Sequence, residues 1–430
     1  MLNYRAWVGG AITVAALLLA ACGGGGGGSS GTASVRLVDA SPTHASLAML
    51  ANGAASVGAT ATDSASAYVG VAAGGPTLQI NDGTSGIAVA TLVPSLGQNA
   101  HYAILAYDAG GSVHTAVIGE DAAVPVAGTV SLRVFDAASD AGAIDVYVTD
   151  PAVDITTLSS PSVTFPAATT LQTSTFVSIA PGTYRIRVTG GGNPNDLRLD
   201  VPSVTLTSQE IASLLLTPTT GGTLVNGAIL AQQGDYTSAR NQNARVRLAA
   251  AVASAASVTA SAGTTPIGTG VLSPSVGGYV VVPANSALNV SVNGASVGAP
   301  AGTLAAGSDS TLLVHGSAAA PTASLIGDDN HLPTSTSNLK LRLVNGLTGA
   351  APPLTLDAAF AVIASNVAPG TASSYAVVPS STALRVDVLA PTSLVPLFTD
   401  SALSIPGNAV YTMFMLGDAS APVALLRKDR

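Results

Sequence analysis

The chain has 430 residues, a formal net charge of −8 and only two lysines, Lys340 and Lys428. An acidic chain without a basic patch repels phosphate backbones and gains nothing from counterion release, which argues against nucleic acid and against a grip on anionic lipid. With one cysteine, Cys22, no disulfide framework is available, so each domain rests on its hydrophobic core alone, as domains of about 100 residues manage.

Residues 1–21 read as an export signal. Arg5 supplies the positive start, and Ile12, Val14, Leu17, Leu18 and Leu19 supply the apolar run. The segment ends Leu19-Ala20-Ala21-Cys22, with small residues before a thiol, and resembles the bacterial lipobox. Cleavage before Cys22 and lipidation of its thiol with palmitate-type chains are therefore expected. A spanning helix would need about 20 apolar residues; this run is shorter and stops in Gly23 to Gly28. Gly23 stands where an aspartate would resemble an inner-membrane retention signal, so the expected address is the cell outer membrane, on its periplasmic or surface side. Loss of the leader removes Arg5 and takes the charge from −8 to −9. Residues 22–32 form a Gly-rich tether, and ten such residues span about 17–19 Å as a random coil.

Beyond the tether the sequence repeats. Four segments open alike, at Arg36-Leu37-Val38-Asp39-Ala40, Arg133-Val134-Phe135-Asp136-Ala137, Arg247-Leu248-Ala249-Ala250-Ala251 and Arg342-Leu343-Val344-Asn345-Gly346. An aromatic then leads a short strand in each: Tyr68, Phe176, Tyr279 and Tyr375. Next comes an alternating strand, as in Leu288-Asn289-Val290-Ser291-Val292 and Leu384-Arg385-Val386-Asp387-Val388. Period-two alternation sends apolar side chains to one face and polar ones to water, which suits strands and not helices. Each unit closes with an apolar strand, a turn and a second strand, as in His101 to Ala106 with Thr115 to Ile118.

Short strands with frequent turn signals predict an all-β chain: a tandem array of four Ig-like β-sandwich domains, at 33–124, 129–235, 244–329 and 338–430. Extra length in the second unit falls at Asp150 to Thr173 and Gly190 to Asp196, both read as loop insertions. The alanines of Leu248 to Ala262 would tolerate helix, but the sister segments place a strand there. Short linkers, Pro125 to Gly128 and Leu332 to Ser337, predict a semi-rigid array.

The opening strand Val35-Arg36-Leu37-Val38-Asp39-Ala40-Ser41-Pro42 resembles that of bacterial domain-of-unknown-function family 4397. Ala143-Ile144-Asp145-Val146-Tyr147-Val148 is similar to the family's next strand, and Ala180-Pro181-Gly182-Thr183-Tyr184 to one of its turns. The third unit lacks the Asp/Asn and Ser-Pro features and joins the series through its strand order. The resemblance implies an extracytoplasmic all-β module, with no catalytic residue to carry over.

No constellation argues for a reaction. There is no Gly-x-Ser-x-Gly elbow, and the histidines His44, His101, His114, His315 and His331 are scattered. His101 and His114 flank one hairpin but lack the companions a zinc site needs. Only Glu120 and Glu210 are glutamates, so paired carboxylates for glycoside hydrolysis would fall to turn aspartates. Acids gather at unit boundaries, Glu120-Asp121, Asp235 and Asp328-Asp329, where interdomain calcium would stiffen the array, but none offers a dense ligand series. The repeated arginines are expected to lie along the sheet in exposed pairs with neighbouring acids, contributing little stability. Site residues are thus Cys22 for lipidation and none for catalysis, metal or cofactor. The expected function is a non-enzymatic cell-envelope lipoprotein presenting tandem modules for structural, adhesive or binding roles. The alternative is an envelope or extracellular glycan-binding protein serving a transporter or enzyme partner, with Tyr147 and Tyr236 as candidate stacking aromatics. As a spacer the array would be elongated; a hydrolase would need carboxylates or histidine converging near Asp145 to Thr173.

Overall fold

The computed structural model describes residues 31–430 apart from Ser254, Ala350, Thr392 and Leu394; the leader 1–21, Cys22 and the tether before Gly31 lie outside the described residues. The first unit holds β1 (Thr32–Ala40), β2 (Ser46–Ala51), β3 (Ala54–Ala61), β4 (Ser64–Ala65), β5 (Val69–Ala72), β6 (Leu78–Asp82), β7 (Ala88–Leu92), β8 (His101–Ala109) and β9 (Ser112–Gly119). One sheet runs β3-β2-β6-β7 and the other β4-β1-β8-β9, with β5 also paired to β1. Pairing is antiparallel except between β1 and β8, which run parallel from Ser34 opposite His101 to Ala40 opposite Tyr107.

The plan recurs three times. The parallel pair is Val130–Asp136 with Ile211–Pro218, then Asn243–Ala250 with Asp309–Ser317, then Asn338–Thr348 with Ala409–Asp418. The chain is therefore all-β, built of repeated two-sheet sandwiches, as the alternation predicts. The alanine-rich stretch also forms strands, Asn243–Ala250 and Ser257–Ala262. Gly190 to Asp196 is not a loop insertion: Gly190 pairs with Asn193 across a tight Gly191-Gly192 turn, and the long strand Asn193–Leu206 follows. Gly192 sits at φ +73°, which a two-residue hairpin turn requires and glycine supplies without strain. Asp150 to Thr173 holds a 3₁₀ turn, Ile155–Thr157, and the short strands Val163–Phe165 and Gln172–Thr173.

Each sandwich encloses its own core; that of the first includes Leu37, Leu47, Met49, Leu78, Ile80 and Ile104. The alternating strands, such as Leu288–Val292, bury one face only. The parallel-paired strands differ. Ala103 to Tyr107 are all buried, as are Ile211–Pro218 and Ala409 to Gly417. Such strands read as continuous apolar runs because both faces leave water.

Their outer faces meet those of a sister unit. Val38, Ala103, Leu105, Tyr107 and Ile118 of the first unit cluster with Phe135, Leu215, Ala228 and Leu230 of the second. Ala249, Ala251, Val276 and Leu313 of the third cluster with Val344, Phe414 and Leu416 of the fourth. Burying one large apolar side chain of this kind contributes about 1.5–3 kcal/mol. The units are thus docked as two pairs, not strung out as the spacer reading expects. Among the described residues, no helix is long and apolar enough to cross a membrane.

Candidate functional site

The repeated arginines lie at these docked faces. Arg36, Arg247 and Arg342 are 2–4 % exposed, so the expectation of exposed pairs does not hold. Each stacks on the aromatic of its own unit: Arg36 on Tyr68 at 5.0 Å, Arg133 on Phe176 at 4.7 Å, Arg247 on Tyr279 at 4.6 Å and Arg342 on Tyr375 at 4.5 Å.

Between the third and fourth units the network is nearly twofold. Arg247 Nε donates to Thr311 Oγ1 at 2.9 Å, and Arg342 Nε to Thr412 Oγ1 at 3.1 Å. Thr311 donates onward to Asp328 at 2.7 Å, and Thr412 to Asp429 at 2.5 Å. The charges then cross: Arg247 pairs with Asp429 and Arg342 with Asp328. Tyr279 donates to Asp328 at 2.6 Å. Burial first, and the charge of Asp328 next, push the Tyr279 phenol well above its ordinary value, so it remains a neutral donor.

The first pair keeps this frame with other chemistry. Arg36 Nε donates to Glu120 at 3.0 Å, and its guanidinium reaches the carbonyls of Ala231 at 2.9 Å and Gly234 at 2.5 Å in the second unit. Arg133 donates to Ser213 at 3.0 Å and to the Gly119 carbonyl at 2.8 Å, as Arg342 does to Gly327 at 2.9 Å. Gln232 follows the strand Val225–Ala231 and bonds both polar groups of Ala122 at 2.9 Å. These arginines bind the units to one another.

Three residues beyond each arginine stand Asp39, Asp136, Ala250 and Asn345. The side-chain oxygen accepts from the backbone two residues on: Ser41 at 3.0 Å, Ala138 at 3.0 Å and Leu347 at 3.1 Å. Asn345 also donates to the Val367 carbonyl at 2.9 Å, whereas the second oxygen of Asp39 has no partner. Burial raises Asp39 to about 7 and Asp136 to about 6, against an ordinary 3.8. The folded values lie above the unfolded one, so the folded state holds the protons more tightly. The associated stability is full below pH about 4 and is lost as pH rises through 6 and 7. Asp39→Asn with Asp136→Asn should therefore remove a decline in melting temperature between pH 5 and pH 8, on the order of a few kcal/mol in sum. Melting curves across that range check it; a decline that persists in the double variant would refute the assignment.

The other residues singled out in the sequence disperse. His101 pairs with Asp121 at 2.9 Å, and His114 tilts over Tyr107 at 6.0 Å; opposite His114 in the ladder stands Tyr107, not His101. The boundary acids are largely taken by cations: Glu120 by Arg36, Asp328 by Arg342, and Asp329 by Lys340 at 2.5 Å and His331 at 2.7 Å. Among the described residues no cluster of three or more His, Cys, Asp or Glu is placed to hold a metal. Glu210 accepts from the Thr207 backbone at 2.7 Å. Asp145 accepts from Thr164 and from the Gly192 backbone, both at 2.8 Å. Tyr147 is buried, and Tyr236 is half-buried and donates to Asp63 at 2.7 Å, so neither offers an open stacking face. Cys22 lies outside the described residues.

Among the described residues, one opening lies where the two pairs meet. A cleft of about 260 Å³ is lined by Gly110 and His114 of the first unit, Asp140 and Thr169 of the second, and Pro333 and Asn408 of the linker and fourth unit. Asp140 sits in the 3₁₀ turn Ser139–Ala141 and is 8 % exposed. Its nearest cation is His331, 3.8 Å away. Burial raises its carboxyl above the ordinary value, against the pull of His331 and Arg430. Asp140 carries no local sequence signal, being one acid in a turn; three distant segments make it a site.

Comparison with known families places one match on the chain. Residues 33–147 match the family described as Domain of unknown function (DUF4397), a span covering the first sandwich and the opening strands of the second. No curated protein matches the chain.

Proposed function

We propose that the protein, whose residues 33–147 match the DUF4397 family, is a non-enzymatic lipoprotein of the cell envelope. It is anchored in the outer membrane by lipid on Cys22 and works as a rigid four-unit platform for binding or adhesion. The observation that carries this reading is the docking of outer sheet faces in pairs, which joins into two bodies modules that could otherwise act as four separate beads. The polar machinery of the docked faces supports a role without chemistry, since Arg36, Arg247 and Arg342 are paired there with Glu120, Asp429 and Asp328. The partner is a protein or glycan, and the acidic surface disfavours nucleic acid.

A palmitate analogue should label the wild-type chain in cells and leave Cys22→Ala unlabelled, with the wild type in the outer-membrane fraction. Equal labelling of both, or an unlabelled wild type, overturns the anchor. Scattering from the purified protein tests the platform, and a rod of four units in line overturns it. A second reading, binding of envelope or extracellular glycan on behalf of a transporter or enzyme, is favoured by the three-unit cleft.

A further inference from the structure

We propose that the cleft at the junction of the two pairs binds one small, uncharged, polyhydroxylated molecule of monosaccharide size, with the Asp140 carboxylate as its principal hydrogen-bond acceptor. The inference rests on the binding-platform reading and gives it a site and a ligand class.

The buried carboxylate comes first. The Asp140 side chain is 10 % exposed, and the groups acting on it do so through charge: His331, Arg430, Asp329 and Lys340, with no hydrogen bond among them. His331 stands at 3.8 Å, beyond hydrogen-bond length, and its other ring nitrogen is committed to Asp329 at 2.7 Å. Asp140 lines the cleft with part of its side chain still exposed, so a ligand hydroxyl donates to it in place of water.

Charge and size narrow the class. Asp140 and His114 are the titratable side chains of the lining, and Asp140 has His331, Arg430, Lys340 and Asp329 around it, so the mixed charge strongly favours neither a cation nor an anion. Hydroxyls and an amide on its wall, from Ser139, Thr169, Thr334 and Asn408, both donate and accept, as vicinal sugar hydroxyls require. Ala109, Ala167 and Pro333 supply apolar surface for C–H faces. The volume, about 260 Å³, lies below the roughly 300–1,000 Å³ of drug-sized ligand pockets, which fits a single ring and excludes an oligomer held along its length.

The test is saturation-transfer NMR on the full chain in zwitterionic detergent, with glucose, galactose and N-acetylglucosamine as probes. At least one should give a saturable signal, weakened about tenfold in affinity by Asp140→Asn, the scale of one lost hydrogen bond to a charged group. Ala167→Trp, which fills the cleft from its rim without touching a core, should abolish the signal. Absence of saturable binding to wild type, or binding unchanged in Ala167→Trp, overturns the site. Cys22 labelling and solution shape are read separately, so loss of the site leaves the platform reading standing or falling on its own measurements.

Discussion

Asp328→Ala should destabilise the third and fourth units by about 3–5 kcal/mol, the cost of breaking a buried ion pair and leaving one charge alone. Asp328 has a fully buried side chain and accepts from three donors, the Arg342 guanidinium, Tyr279 at 2.6 Å and Thr311 at 2.7 Å, with Arg247 a further 3.8 Å ion pair. Removing it strands Arg342, itself 2 % exposed, against the Tyr375 ring with no acid in its place. The large effect comes from the orphaned cation and not from the intrinsic worth of the pair. Asp328→Leu with Arg342→Met should therefore recover most of the loss, because replacing both partners by apolar groups of similar volume is often neutral. Urea melts of wild type, single and double variants check this, read on the transition assigned to the second pair, since a four-unit chain need not unfold in one step. A single variant that melts with the wild type, or a double variant no better than the single, would refute the account.

The strands were legible because alternation is local. Leu288, Val290 and Val292 face the third core as their spacing requires, and the turns fall where glycine and aspartate cluster. The docking of the units was written in the same strands less openly. Leu214-Leu215-Leu216 and Leu312-Leu313-Val314 are apolar without alternation, which signals burial on both faces but does not say against what. All four units carry such a run, so no local pattern tells which two will meet. The arginines misled for a related reason. Charged side chains are rarely buried unless paired, and the partner of Arg247 lies 182 residues away at Asp429, beyond any neighbourhood the sequence displays. The cleft was illegible for the same cause: Asp140, His114 and Asn408 come together only after three sandwiches have docked.

One turn of the second unit reaches both units of the other pair, and Gly222→Ala should loosen that junction. Gly221 N–H donates to the Gly307 carbonyl at 2.8 Å, and Asn330 N–H donates to Gly221 at 3.1 Å. Thr223 beside them accepts from Arg245 at 2.9 Å and Arg430 at 3.0 Å, so the third and fourth units both hold the turn. Gly222 has φ +84°, and a methyl there would lie 2.5 Å from the His331 nitrogen and 2.8 Å from the Asn330 carbonyl carbon. Both are backbone atoms and cannot rotate away. Gly192→Ala separates strain from clash, since Gly192 has φ +73° but nothing within 4 Å of an added methyl. It should cost about 1 kcal/mol, the left-handed penalty alone. Gly222→Ala should pay that and also part the two pairs, because the chain relieves a backbone clash most cheaply by opening the contact that causes it. Each pair retains its own apolar interface. The expected result is therefore a larger radius of gyration, with both pairs folded and new protease sensitivity near Arg240 to Gln242. A Gly222→Ala protein that scatters like wild type and resists protease equally would show that the turn does not hold the pairs together.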